Sequence, residues 1–346
     1  MREIYPAFYK DFKCIANRCE DSCCKDWDID VDSETESFYN SVSGALGDKL
    51  RRLTVTDSYG ERVFISNNGR CPFWNENELC DIYIGLGEEH LSRTCANFPR
   101  VHIDYGDFRE HLLSFACPEA ARFMLKSTRE DYSDFGGSSE LELAQDSGDF
   151  FGFLLKARER TLSILLDRDE PLPYRLCDSL EFNAQVQSLL NGGEPEPLKL
   201  EGADSPGCRF IFDMHLRFEI MNGEWRQKLS NASALCEKLD ITEDFDRDFE
   251  KFMLYYIYRY YLGSVDSPDV LYSIKRIVCA YIVTGTMDAA QRLEENPRSR
   301  MRILQRYSKE VEHSYENTEK LNSTFDSDKA FSVESLIAML CSRIEK

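Results

Sequence analysis

Eight cysteines occupy the first third of the chain. Cys14, Cys19, Cys23 and Cys24 fall within the stretch "CIANRCEDSCC", and Cys71, Cys80, Cys95 and Cys117 follow. The spacing is C-x4-C-x3-CC, a gap of 46 residues, then C-x8-C, C-x14-C and C-x21-C. Thiolates are soft donors that suit zinc and iron–sulfur clusters. Eight of them can build two four-cysteine zinc sites, one four-iron cluster with cysteines to spare, or two clusters. The adjacent pair Cys23–Cys24 does not fit the simple zinc knuckle, whose cysteines stand two to four residues apart. Neighbouring residues project in different directions, so these two are expected to serve different ions or different edges of one site. The total of 13 cysteines is odd and cannot pair completely. The amino-terminal text, "MREIYPAFYKDFKC", has no apolar secretory stretch, so a reducing, cytoplasmic location is expected, and metal ligation is favoured over disulfides. Cys177, Cys208, Cys236, Cys279 and Cys341 are scattered singly among apolar residues and are expected to pack as small hydrophobes.

Other reactive side chains lie close to the thiols in sequence. In "DWDIDVD", Asp26, Asp28, Asp30 and Asp32 alternate with apolar residues, which on a strand puts the four acids on one face. They could attract a cationic substrate, or simply be solvated. A calcium loop is discounted, because Val31 and Ser37 stand where its glycine and bidentate glutamate belong. His90, His102 and His111 lie within the cysteine region and could replace a thiolate, although a structural role is the simpler expectation. Arg93 and Arg100 flank Cys95 in "SRTCANFPR" and are the candidate cofactor-binding residues, each able to hold a carboxylate. No catalytic residue can be singled out. "YIGLGEEH" (83–90) lacks the complete glycine fingerprint of a nucleotide-binding turn, and no strand–turn–helix unit of that kind is found. The aromatic run "YYIYRYY" (255–261) circles a helix, which reads as a large buried helix or as a lining for a cationic ligand.

These residues need elements to position them. "ERVFIS" (61–66) alternates like a strand, and "VHIDYGDFREHLLSF" (101–115) predicts a hairpin turning at Gly106 and Asp107. "CPEAARFMLK" (117–126) has Pro118 at the first helical position, which places Cys117 at a helix N-cap. Residues 127–149 are polar and glycine-rich, a linker or loop. From 150 onward helical periodicity recurs, in 150–167, 174–191, 209–222, 230–239, 248–265, 268–285, 300–316 and 333–346, with "NGGEPEP" (191–197) as a break. The predicted class is mainly α. A small irregular α+β cysteine-rich metal-binding region (1–126) precedes a polar linker (127–149) and a helical region (150–346).

The whole chain has 346 residues, 42% of them hydrophobic, enough for one large domain or two without cross-links. Its net charge of −20 argues against a nucleic-acid partner, which needs clustered lysine and arginine. No stretch approaches the ~20 apolar residues of a membrane span.

The ordered cysteine text resembles the flagellin lysine N-methylase family, within the wider CxxCxxCC group of zinc- or iron-chelating proteins. The resemblance rests on "YKDFKCIANRCEDSCCKDWDIDVD", "CPFWNENELCDIYIGLGEEHLSRTCANFPR" and "CPEAARFML", and extends to "FMLYYIYRYYLG" in the helical half. The first two spacings, x4 and x3, are longer than the x2 and x2 of the wider group. The resemblance implies a [4Fe-4S] cluster, S-adenosylmethionine as methyl donor, and flagellin or another lysine-bearing protein as partner. It makes Cys14, Cys19, Cys23, Cys24, Cys71, Cys80, Cys95 and Cys117 the ligand pool without choosing among them. The cysteine triplet of radical S-adenosylmethionine enzymes is absent, with only Cys19-x3-Cys23 echoing it. The alternative is a zinc-stabilised binding or metal-chelating protein without enzymatic activity.

Overall fold

The computed structural model describes residues 1–135, 150–195, 197–198, 206–266, 269–293 and 300–344. The polar stretch 136–149, part of "NGGEPEP" and the last two residues therefore lie outside the described residues.

Two small sheets occupy the amino-terminal region. In chain order the elements are β1 (Arg2–Ile4), β2 (Ile29–Asp30), α1 (Ser33–Ser41), α2 (Gly44–Leu53), β3 (Thr54–Thr56) and β4 (Arg62–Phe64). Next come α3 (Asp81–Leu86), α4 (Arg93–Asn97), β5 (Arg100–Asp104), β6 (Phe108–Leu113) and α5 (Pro118–Met124). One sheet has the order β1-β6-β5, with β1 parallel and β5 antiparallel to β6; the other has the order β2-β4-β3 and is antiparallel throughout. The expected hairpin forms, and Gly106 carries its turn at φ 79°, a left-handed conformation that glycine adopts without a Cβ penalty. The expected strand at 61–66 is β4, and Cys117 is the N-cap of α5 with Pro118 behind it, as the sequence predicts.

The rest is helical. The helices are α6 (Phe150–Leu165), α7 (Leu172–Leu190), α8 (Arg209–Leu216), α9 (Gly223–Leu235), α10 (Glu243–Tyr260) and α11 (Leu271–Gln291), then α12 (Arg300–Tyr307), α13 (Tyr315–Ser327) and α14 (Val333–Ile344). α12 runs into a π-helical turn, Ser308–Glu312, so the helix expected over 300–316 changes hydrogen-bond register half-way. The helix expected over 209–222 stops at Leu216, and Asn222 instead caps α9 by accepting from the N–H groups of Glu224 and Trp225. α13 was not foreseen: its polar sequence, "YENTEKLNSTFDS", offers only a thin apolar stripe, with Leu321 and Phe325 buried.

Burial divides the molecule differently from the sequence. One large core joins all the long helices to the amino terminus and the hairpin sheet, through Ile4, Phe12, Leu112, Phe115 and Ala120. At its centre Arg158 of α6 and Glu110 of β6 form an ion pair at 2.9 Å, both wholly buried. A second, smaller core comprises Ile29, Val31, Tyr39, Leu50, Phe64, Cys71, Phe73, Trp74 and Ile82. The tyrosines of "YYIYRYY" are structural. Tyr255, Tyr256, Tyr258 and Tyr261 are buried, with hydroxyl partners that include Glu312 for Tyr255 and Asn183 for Tyr261.

Candidate functional site

Five of the eight amino-terminal thiols sort by the core beneath them. Cys71 belongs to the smaller core, and Cys24, Cys80 and Cys95 pack against it, whereas Cys117 packs on the large one. Within the set Cys24, Cys71, Cys80 and Cys95 every pair interacts electrostatically. Cys14, Cys19 and Cys117 form a second set, and Cys23 reaches both Cys14 and Cys95. The adjacent pair is electrostatically linked: the Cys23 and Cys24 thiols shift each other's titration, so the two are not independent of one another. The chain permits this because it does not run as a strand here; Asp26, two residues on, has φ 72°.

Local backbone fixes each donor of the quartet. The Cys71 N–H donates to the Cys24 carbonyl at 2.9 Å, joining segments 47 residues apart. Trp74 bridges to Cys80, which caps α3. Cys95 lies in α4, capped by the Ser92 hydroxyl. Backbone N–H groups also face sulfur: those of Ile82 and Tyr83 at Cys80, that of Phe73 at Cys71, and those of Glu119 and Ala120 at Cys117. Burial nonetheless pushes the thiols of Cys71, Cys95 and Cys117 up to about 12. Cys24 is the exception. The hydrogen bond from Cys23, with help from Ser22 and the Lys309 ammonium, brings it down to about 7. Four convergent sulfurs with N–H donors and an apolar shell are a fitting donor set for a soft metal or an iron–sulfur cluster. Among the described residues, no three of the eight sulfurs lie within 4.8 Å of one another. Zinc bonds of ~2.3 Å would set tetrahedral sulfurs ~3.8 Å apart, so the quartet is wider than a closed zinc site.

Helix α12 and its π turn clamp the cysteine loop. Gln305 donates to Asp21 at 2.9 Å and to the Ala116 carbonyl at 2.8 Å, and Arg306 donates to Asp26 at 2.9 Å. Lys309 is 1% exposed, donates to Asp21 at 3.1 Å, and lies 4.8 Å from the Trp27 ring centre. Trp27 in turn donates its indole N–H to the Cys23 carbonyl at 2.6 Å. Its ring also packs on Phe98 and His313.

Beside this clamp is a cavity of about 630 Å³. Both candidate arginines, Arg93 and Arg100, line it, with Asp30, Asp32, Phe98 and His313 also in its wall. The Cys95 helix therefore supplies one side of the cavity and the residue after the π turn another. His313 shares a 2.8 Å hydrogen bond with the Ser114 hydroxyl; burial, and then the nearby Arg259 and Lys309 cations, lower it to about 3 and keep it neutral. Asp32 is withdrawn from the role of free acid. Burial would raise it, but the N–H groups of Arg93 and Thr35 hold it at about 2 while it caps α1. The four aspartates do not share one face: Asp26 pairs with Arg306, Asp28 accepts from the Ser66 N–H, and only Asp30 stays exposed without such a bond among those described. Burial, then Glu61, Asp57 and Asp28, raise the Asp30 carboxyl.

The three histidines of the cysteine region are not brought to the thiols. His102 and His111 face each other across the hairpin at 2.7 Å, His111 also meets Glu3, and His90 stacks on Phe38. "YIGLGEEH" ends α3 at Leu86 and turns at Gly87 into a single 3-10 turn, Glu88–His90. Lys309 and His313 were missed by sequence reasoning, since "SKEVEH" reads as the polar side of an ordinary helix. Only their burial, which follows from the π turn and the packing on the cysteine loop, marks them out.

The chain is similar to proteins of known family. Residues 214–339 match the model of the FliB lysine N-methylase C-terminal domain. A flagellar biosynthetic protein, FliU, of Salmonella muenchen is 37% identical over 134 residues, which cover 36% of this chain and 79% of that protein. The chain belongs to the FliB lysine N-methylase family. Lysine-N-methylases of Salmonella choleraesuis and Salmonella typhimurium are each 36% identical over 134 residues, a match that spans 33% of their own length. No solved structure matches. The segment that matches the domain model, 214–339, contains α12, the π turn and His313, and so includes the helix that grips the cysteine loop. Among the described residues, no helix is long and apolar enough to cross a membrane.

Proposed function

We propose that this chain is a protein lysine N-methyltransferase that takes methyl groups from S-adenosylmethionine, depends on an iron–sulfur cluster, and acts on flagellin or a similar lysine-bearing protein. The observation that carries this reading is a juxtaposition: a 630 Å³ cavity lined by Arg93 and Arg100 has in its wall both α4, the helix that carries Cys95 of the four-thiol group, and His313, which follows the FliB-matched helix α12 and its π turn. The names of the two lysine-N-methylases supply the reaction class.

Cys24, Cys71, Cys80 and Cys95 would hold the cluster, and their spacing, wider than a zinc tetrahedron, favours an object larger than one ion. When bound, S-adenosylmethionine supplies an electrophilic methyl group on sulfur, and the cluster an iron site or an electron beside it. The chain's own residues bind and orient. Arg93 and Arg100 offer guanidinium groups to a carboxylate. Phe98, in the cavity wall, offers an aromatic ring that favours a sulfonium or an ammonium. Asp30 and Glu61, in the cavity wall, attract the lysine ammonium, and Asp30, with its raised carboxyl, is the better acceptor of the proton that the amine must lose. His313, held neutral, adds no competing positive charge.

Titration of S-adenosylmethionine into anaerobically purified protein tests the cavity assignment. Binding is expected, and Arg100→Ala should weaken it about 10- to 100-fold through loss of a charge-assisted hydrogen bond. Equal affinity in Arg93→Ala, Arg100→Ala and the parent protein would remove the cavity from the proposal.

A further inference from the structure

Two cysteines outside this site are buried, as the sequence predicts, and in addition meet at one carboxylate. Cys208, the N-cap of α8, and Cys236, which follows α9, are 0% and 1% exposed. Their sulfurs and a carboxylate oxygen of Glu237 all lie within 4.8 Å of one another, which holds for no other such group among the described residues. The Glu237 oxygen is 3.4 Å from the Cys208 sulfur and 3.9 Å from that of Cys236. By contrast, Cys279 is simply buried in α11.

The surroundings hold these donors in place. The Cys208 N–H donates to Glu237 Oε1 at 2.7 Å. Gly207 stands at φ 68°, and a Cβ there would come within 2.5 Å of the same carboxylate oxygen, so the close approach needs glycine. Arg343 of α14 donates to the carbonyls of Cys236 and Leu239, each at 2.8 Å, and its guanidinium is 3.2 Å from the Cys208 sulfur. A guanidinium so placed is unhelpful to a neutral thiol and favourable to a thiolate.

We propose that Cys208, Cys236 and Glu237 form a zinc site, separate from the amino-terminal thiols. Two thiolates and a carboxylate are ordinary zinc ligands, and the sulfurs select zinc over harder cations. The three donors carry one negative charge more than a divalent ion balances, and Arg343 offsets it. Glu237 reaches solvent, so water completes the tetrahedron. The ion would tie α8, α9 and, through Arg343, α14 into one unit. The inference does not rest on the proposed methyl transfer.

The test is zinc content. The full-length protein, a Cys208→Ser/Cys236→Ser double variant and a Cys279→Ser control are equilibrated with zinc, freed of excess ion and analysed for metal. The double variant should hold one zinc fewer per chain than the parent, and the control the same number. With cobalt(II) instead of zinc, the parent-minus-variant spectrum should show thiolate-to-cobalt charge transfer. Equal zinc in parent and folded double variant would overturn the proposal. Should the double variant fail to fold, Glu237→Gln decides: the affinity of this one zinc should fall about tenfold or more, and an unchanged affinity would overturn the proposal equally.

Discussion

At the scale of single residues, Arg93 and Arg100 stand in the wall of one cavity with His313, and Cys24, Cys71, Cys80 and Cys95 gather on the smaller core. Thiol density marked the cysteine-rich region, and the arginines flanking Cys95 did come to line a cavity. The division among the eight cysteines was not legible, because it depends on tertiary packing, with Cys24, Cys71, Cys80 and Cys95 on one core and Cys117 on the other. Nor was the contact between Cys23 and Cys24, since adjacency in sequence says nothing about a backbone that leaves the strand conformation at Asp26. The division has a direct consequence. Single Cys→Ser changes at Cys24, Cys71, Cys80 or Cys95 should each abolish bound iron and acid-labile sulfide, whereas Cys177→Ser, Cys279→Ser and Cys341→Ser should leave both intact. Iron and sulfide analysis of anaerobically purified variants checks this. His313 gives a second expectation. Its folded-state pKa lies near 3 and its unfolded value near 6.5, so its stabilising contribution is complete above pH 6.5 and is lost as pH falls towards 3. The loss is at most about 1.4 kcal/mol per pH unit for one proton. Denaturant unfolding between pH 7 and 4 should therefore show a shallower decline in His313→Asn than in the parent protein.

At the scale of elements, the hairpin, α5 and most long helices were readable from turn residues, Pro118 and apolar periodicity. The π turn at Ser308–Glu312 was not, because no local preference announces a change of register. The short α8 was not either, because apolar text continues past its end while Asn222 starts a new helix. Between elements, the Arg158–Glu110 pair fastens α6 to β6 with both partners wholly buried. Removing one partner strands the other charge in the core. Arg158→Leu should cost about 3–5 kcal/mol in chemical denaturation, and the Arg158→Leu/Glu110→Leu double variant should recover much of that loss. A double variant no more stable than the single would show that the pair's environment, not its charge balance, sets the cost.

At the scale of the molecule, sequence composition separated a cysteine-rich region from a helical one, and packing joins them. The large core takes in both the amino terminus and the long helices, and Gln305, Arg306 and Lys309 of the helical part reach the cysteine loop directly. Such long-range contacts leave no periodic trace in sequence. They do explain why a domain-model match over 214–339 bears on chemistry that would need the amino-terminal thiols. The centre of the account is that these two parts make one methyl-transferring site. Its most direct test combines the anaerobically purified protein with flagellin, S-adenosylmethionine and a reductant, and follows the intact mass of the flagellin. The account predicts methyl additions on lysine that disappear in Cys71→Ser; an unchanged flagellin mass with iron- and sulfide-loaded protein would contradict it.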